Sequence, residues 1–286
     1  MPIFSRLART FAWNYALQLG AAAVFIPLHT EKYYDLLGSA GFLSASFVSL
    51  YSPWIAARLR GEQVPFPPLT AHAPRQLLLT GCLMLWSSRL GYFLFSRVLR
   101  EGKDSRFDKI KYEPATFAFF WFMQATWVSL VGLPVYLANA LPATAHKPLG
   151  PRDYAGLALF AGSLAFEAIA DQQKSSWRKA KTLKKHSEEF ITSGLWSISR
   201  HPNYVGEVGI HTGIWLLSTQ ALSNPAYPMG TAIFAALGSP IFTYFLLAKL
   251  SGVPPLERAG DKKFGGNPNW ESYKSRVPIF FPWMKP

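Results

Sequence analysis

Between Gly194 and Glu207 the chain reads Gly-Leu-Trp-Ser-Ile-Ser-Arg-His-Pro-Asn-Tyr-Val-Gly-Glu. Arg200, His201, Asn203 and Glu207 bring a guanidinium, an imidazole, a carboxamide and a carboxylate together there. From Val208 to Ala248 no Asp, Glu, Lys or Arg follows. Polar groups held in hydrocarbon cost several kcal/mol each unless paired. The cluster therefore reads as a binding site at the mouth of an apolar segment. Proline disfavours helix in the residue before it and suits the first turn of the helix it opens. His201 is thus expected to be extended, with Pro202 starting a helix. Free backbone N–H groups at that helix end, beside Arg200, His201 and Asn203, suit a phosphate. Glu207, one turn beyond Asn203, could accept from an amide or a ribose hydroxyl.

Upstream, Glu167 and Asp171 are spaced i, i+4 and share a helix face. Lys174 and Arg178 follow, and Arg178 falls on the face of Asp171 two turns on. Arg89 lies near the middle of another apolar run, in Leu-Trp-Ser-Ser-Arg-Leu-Gly-Tyr. A cation at such depth is a functional or structural candidate by default, and Arg89 is expected to pair with a carboxylate or line a polar cavity. Arg97, two turns further, could snorkel to an interface. His201 and His211 are ten residues apart with no matching acids or cysteines, so no metal site is expected. Neither a GxGxxG loop nor a Walker motif occurs, so a bound dinucleotide would not need a Rossmann fold. Cys82 is the single cysteine and excludes an intramolecular disulfide.

The elements that must position these groups are apolar helices. Half of the 286 residues are hydrophobic and 16% are charged, against roughly 25% in an average soluble domain. Pro114 to Ala140 is a run of 27 residues without a charge, and about 20 suffice to cross a bilayer. Further runs cover Phe11–Leu28, Leu36–Ala57, Gln76–Leu99 and Tyr154–Ala170. Val208–Ala248 can hold two spans with a turn at 223–228. The expected fold is all-α and polytopic, with about seven transmembrane helices in a single integral domain over 1–286. No cleavable signal peptide is expected. With the N-terminus outside, the cytosolic segments hold 19 Lys and Arg and the opposite side seven. The positive-inside rule then favours an outside N-terminus and a cytosolic C-terminus. The net charge of +13 alternates with apolar runs, which disfavours nucleic acid and fits attraction to anionic lipid.

Three blocks resemble the steroid 5-alpha-reductase-like membrane family, in its branch called the domain of unknown function 1295. They are Leu85–Leu90 with Arg-Glu-Gly-Lys-Asp-Ser-Arg-Phe (100–107), Phe-Glu-Ala-Ile-Ala-Asp-Gln-Gln-Lys (166–174), and the segment from Gly194 to Glu207. Tyr273 followed by Ile-Phe-Phe-Pro-Trp (279–283) is similar as well. The resemblance covers about residues 30–285. It implies a seven-helix reductase that binds NADPH from the cytosolic side, in a nucleotide-binding half near 160–286, and takes a lipid substrate from the bilayer. Hydride would go to the beta carbon of an activated double bond. By position, Asp171 and Arg178 match family nucleotide contacts, as do Asn203 and Glu207, and Lys249 stands where the steroid reductases carry an arginine. The expected cofactor set is Glu167, Asp171, Arg178, Arg200, His201, Asn203, Tyr204, Glu207, Lys249 and Tyr273. The Gln-Glu pair that holds the carbonyl in steroid reductases is absent, and Trp86 occupies the position of their tyrosine. Tyr92 or Tyr51 is then the candidate proton donor.

Two other classes fit the same residues. An S-adenosylmethionine-dependent lipid methyltransferase would use the helix mouth for a nucleoside without phosphates, because the Arg-His-Pro-x-Tyr pattern is shared with isoprenylcysteine carboxyl methyltransferases. A non-catalytic lipid-binding membrane protein is the third. The resemblance places the protein in the endoplasmic reticulum membrane if the source is eukaryotic. No obligate protein partner is implied.

Overall fold

Proline opens most of the long helices, because it lacks the N–H that a first turn leaves unsatisfied and its φ is already helical. The computed structural model describes residues 3–228 and 230–284. Its α-helices are α1 (Ile3–Phe25), α2 (Tyr34–Leu50), α3 (Ser52–Leu59), α4 (Pro74–Glu101), α5 (Pro114–Val131), α6 (Leu133–Ala140), α7 (Pro151–Thr182), α8 (Pro202–Leu222), α9 (Thr231–Phe245), α10 (Val253–Phe264) and α11 (Pro268–Arg276). Helices α4, α5, α7, α8 and α11 each begin on a proline. No strand occurs among the described residues.

Two of the apolar runs are not single helices. The run from Pro114 breaks at Gly132, where a Cβ would collide with the Tyr136 ring and phenol oxygen. Pro134 then opens α6. The run from Leu36 breaks at Tyr51, with Pro53 in the first turn of α3, and the chain bends by 76°. Four helices are long and apolar enough to cross a membrane, in Pro74–Arg100, Pro114–Val131, Pro151–Thr182 and Thr231–Phe264, and the bent α2–α3 pair makes up to five. Against the expected seven, α1 and α8 have the length but not the mean apolarity, since each carries buried polar side chains such as Asn14, Gln18 and His211.

The chain forms two units. The first runs up to Tyr154 and includes Ile214–Ser239. The second comprises Ala155–Gly213 and the chain from Pro240 on. In the first unit, polar side chains tie apolar helices together. The Asn14 carboxamide donates to the Ala125 carbonyl at 2.7 Å and to Ser129 Oγ at 2.9 Å. Gln124 donates to Gln18 Oε1 and to the Tyr34 carbonyl, both at 3.0 Å. Where no water competes, such bonds fix helix register. Phe42 meets Trp86 and Trp127 edge-on between α2, α4 and α5. Arg75 is fully enclosed and bidentate to Asp153, with Nε to Oδ1 at 2.6 Å and Nη2 to Oδ2 at 2.8 Å.

One end of the first unit carries a charged network. Asp35 and Asp104 share Arg106, at 2.6 and 2.5 Å, and also Arg97, at 3.6 and 3.2 Å. Glu31 takes Lys111 at 2.9 Å and accepts the Asp104 N–H at 3.3 Å. Arg97, read from the sequence as able to reach an interface, is thus held by two carboxylates.

In the second unit α7 and α8 approach closely. A Cβ on Gly206 would lie 2.7 Å from Glu167 Cβ and 2.9 Å from its backbone nitrogen. One on Gly213 would lie 2.6 Å from the Phe160 nitrogen, and one on Gly209 would strike Ser163 Oγ. Three glycines at spacings of three and four give α8 a face without side chains. Helix α9 ends in a π-helical turn, Leu246–Leu250. In the same unit, Val208, Val253 and Phe280 form one apolar cluster, and Trp270, Tyr273 and Val277 form another with Phe190 and Phe264.

Candidate functional site

The start of α8 is held from three directions. The Arg200 N–H donates to the Pro278 carbonyl at 3.0 Å. Ser199 Oγ donates to the Phe280 carbonyl at 2.5 Å and accepts the His201 N–H at 3.2 Å. Arg200 Nη1 reaches Glu257 Oε2 at 2.7 Å, while His201 Nε2 meets Glu257 Oε1 at 2.8 Å. A carboxylate on α10 thus clamps the basic pair that opens α8. Nothing local marks Glu257 for this role, for it lies 57 residues from Arg200.

Burial pushes the His201 imidazole below its usual range, although Glu257 pulls it up. Arg200 Nε is enclosed with no protein acceptor, so this guanidinium has one edge satisfied and a donor to spare. The backbone offers less than expected. The Tyr204 and Val205 N–H groups both turn back to the His201 carbonyl, at 3.1 and 3.3 Å. Side chains, not free first-turn amides, are therefore the main donors. The Asn203 carboxamide is half-buried and makes no hydrogen bond among the described residues. The Tyr204 ring stacks on His201 with centroids 5.6 Å apart.

The close approach at Gly206 sets the Glu167 turn of α7 against α8. Glu167 is buried and Asp171 half-buried on this stretch. Glu207, one turn into α8, lies 3.7 Å from His211 Nε2. Further along α7, the Lys174 ammonium sits 4.4 Å from the Trp196 ring centroid, a cation–π position. Arg178 and Lys249 are exposed. Among the described residues neither has a carboxylate within ion-pair distance, and the same holds for Lys174.

Tyr273 belongs to this unit as a brace. It is buried, and its hydroxyl donates to the Trp196 carbonyl at 2.7 Å. The Trp196 indole in turn donates to the Ala170 carbonyl at 3.1 Å, and Gln173 accepts the Leu195 N–H at 2.9 Å. These bonds fix the turn at 194–197 onto α7. Beside the mouth, an open pocket of about 360 Å³ is lined chiefly by apolar groups, among them Leu159, Phe166, Val205 and Trp283.

Three sequence candidates belong to the first unit. Arg89 is half-buried on α4. Tyr92 is 78% exposed on the same helix. Tyr51 is enclosed at the α2–α3 bend, stacked on Phe66 and met edge-on by His72.

The family described as Protein of unknown function (DUF1295) matches residues 35–277. An uncharacterized protein of Schizosaccharomyces pombe is similar, with 26% identity over 236 residues. The match covers 73% of this chain and 64% of the yeast protein, so the chain spans less than two thirds of that relative's length. No solved structure matches.

Proposed function

The chain belongs to the DUF1295 family, and on that premise we propose that it is a membrane-embedded, NADPH-dependent reductase of a carbon–carbon double bond in a lipid or steroid-like substrate. One observation carries the reading. The start of α8 carries a guanidinium that keeps a buried donor free, and Lys174 lies close enough to act on the His201 charge while feeling those of Arg178 and Asp171. Phosphate oxygens are the acceptors such a set fits best. Asn203 and the carboxylates of Glu167, Asp171 and Glu207 supply the acceptors that a ribose and a carboxamide require. A dinucleotide carries all three features, and these cations favour the form with the additional phosphate.

When bound, NADPH supplies hydride to the beta carbon of an activated alkene, and a proton at the neighbouring carbon completes the reduction. Glu257 holds Arg200 and His201 in place. Asn203 and Arg178 bind the nucleotide, and the apolar pocket lined by Phe166 and Trp283 gives a lipid chain access beside it. The proton is assigned to Tyr51 or Tyr92. The same reading takes about seven spans, an outside N-terminus and a cytosolic C-terminus, with the endoplasmic reticulum as the compartment in a eukaryotic cell.

The test is thermal stabilisation of the purified full chain in detergent by NADPH, NADH and S-adenosylmethionine, with Asn203→Ala and Arg178→Ala alongside. Stabilisation by NADPH that both variants lose is the expected result. A shift with S-adenosylmethionine alone would replace the reductase with a lipid methyltransferase. Silence from all three would leave a lipid-binding protein.

A further inference from the structure

The first unit contains a second cavity, of about 270 Å³, at the α2–α3 bend. Its walls are mixed. Leu50, Trp54 and Leu141 supply apolar surface, while Arg6, His72 and Asn139 supply polar groups. What distinguishes these three is that each keeps an enclosed polar atom with no protein partner.

Arg6 Nη1 donates to the Ala140 carbonyl at 3.1 Å, but its Nε has no acceptor. Among the described residues no carboxylate lies within ion-pair distance of this guanidinium. His72 Nε2 is likewise without a partner, and burial pushes the imidazole below its usual range, so at neutral pH it can offer a single N–H. Asn139 is 1% exposed. Its Nδ2 reaches Ser49 Oγ at 2.9 Å and Thr80 Oγ1 at 3.0 Å, and its Oδ1 reaches nothing. Ser49 Oγ already donates to the Ser46 carbonyl at 2.8 Å, so it accepts from Asn139 and fixes the amide in this orientation. The unpaired atom is the carboxamide oxygen, an acceptor. Gln76 differs: it accepts the Ala73 N–H at 3.0 Å and donates to the Leu141 carbonyl at 3.1 Å, so it serves as wall only.

Buried polar atoms in native proteins are nearly always paired, yet Arg6, half-buried as a residue, keeps its Nε enclosed without an acceptor. We infer that this cavity is a binding site for the anionic head of an amphiphile, a carboxylate or phosphate on an apolar body, with Arg6 and His72 as its donors. The volume lies just below the ~300–1,000 Å³ of pockets that enclose a whole small ligand. The head and its first carbons are held, and the chain leaves through the open side.

The head could come from a free fatty acid or from an anionic phospholipid, and binding to the full chain in detergent or nanodiscs separates them. Oleate is compared with methyl oleate, and phosphatidic acid with diacylglycerol. In at least one pair the anion should bind about tenfold more tightly than its neutral counterpart, as expected for a charge-assisted hydrogen bond. Preference confined to oleate identifies a free acid, and preference confined to phosphatidic acid identifies a phospholipid. Arg6→Gln should remove the preference and leave neutral binding unchanged. Arg6→Lys should keep most of it, which separates loss of charge from loss of folding. Arg58→Gln, at an exposed arginine, should change nothing. Equal binding of anion and neutral partner in both pairs would overturn the proposal, as would a preference that survives Arg6→Gln. Tyr51, one of the two tyrosines proposed as proton donor, also lines this cavity; no nucleotide enters the experiment, so its failure is read separately from failure of the reductase reading.

Discussion

The charged end of the first unit and the mouth of α8 in the second use the same residue types to opposite effect. In the network of Glu31, Asp35, Asp104, Arg97, Arg106 and Lys111, every acid has a cation at 3.6 Å or less. Charge is cancelled locally, and the α1–α2 and α4–α5 connections are tied to one another. At the mouth of α8, one carboxylate serves two basic groups, and Arg200 keeps an enclosed Nε without an acceptor. A closed charge set stabilises, whereas an open one is free to bind. Proximity of charged residues does not separate the two cases; the balance of partners does.

Four predictions bear on that contrast. Removing a hub of the closed set should have the largest effect. Asp104→Ala strips Arg106 of bonds to both carboxylate oxygens and should cost about 3 kcal/mol of stability, read by chemical denaturation in detergent, with NADPH affinity unchanged. Comparable loss of nucleotide binding would break the division of labour. Gly206→Leu should come next. It forces a side chain into the Glu167 backbone, with an overpacking cost of roughly 1–3 kcal/mol and displacement of the α8 mouth, so stability and nucleotide binding should fall together. Arg178→Ala belongs to the open set. It should weaken NADPH binding about tenfold and shift stability by less than about 0.5 kcal/mol.

The smallest effect is in pH. Burial lowers His201 and Glu257 only partly restores it. As pH falls through about 6.5 the unfolded chain takes up this proton before the folded one, so stability present above that pH is lost on acidification. For Asp104, burial pushes upward, but the hydrogen bonds and charge of Arg106, with Arg97 beyond it, more than offset that and hold the carboxyl below its usual range. Its contribution is present above about pH 4 and is lost only below it. His201→Gln should therefore flatten the stability profile between pH 7 and 5, and Asp104→Asn should flatten it below pH 4. A single acid transition insensitive to both variants would collapse the distinction.

Much of the helical layout was legible because proline marks helix starts. Pro74, Pro114, Pro151, Pro202 and Pro268 can each be read directly from the chain. The breaks at Tyr51 and Gly132 were harder, since an apolar run stays apolar across a bend and only Pro53 and Pro134 signal it. Within the site, Arg200, His201 and Asn203 are adjacent in sequence, so their convergence on one helix end is a local matter. The clamp by Glu257 and the brace from Tyr273 to Trp196 depend on how the polypeptide returns, which no local spacing encodes. The glycines at 206, 209 and 213 carried a usable signal in their periodicity, one that charge and aromatic residues overshadow.

Helix α7 has a consequence in length alone. Its 32 residues reach roughly 48 Å at 1.5 Å per residue, while the hydrocarbon of a bilayer is about 30 Å thick. Unless steeply inclined, such a rod must protrude by about three turns at one or both faces. Its apolar stretch ends near Ala170, so the protruding part is the one bearing Asp171, Lys174, Arg178 and Lys181. In a helix that crosses a bilayer, such a mast would hold these groups at the height where lipid phosphates give way to water, within reach of solutes that never enter the membrane.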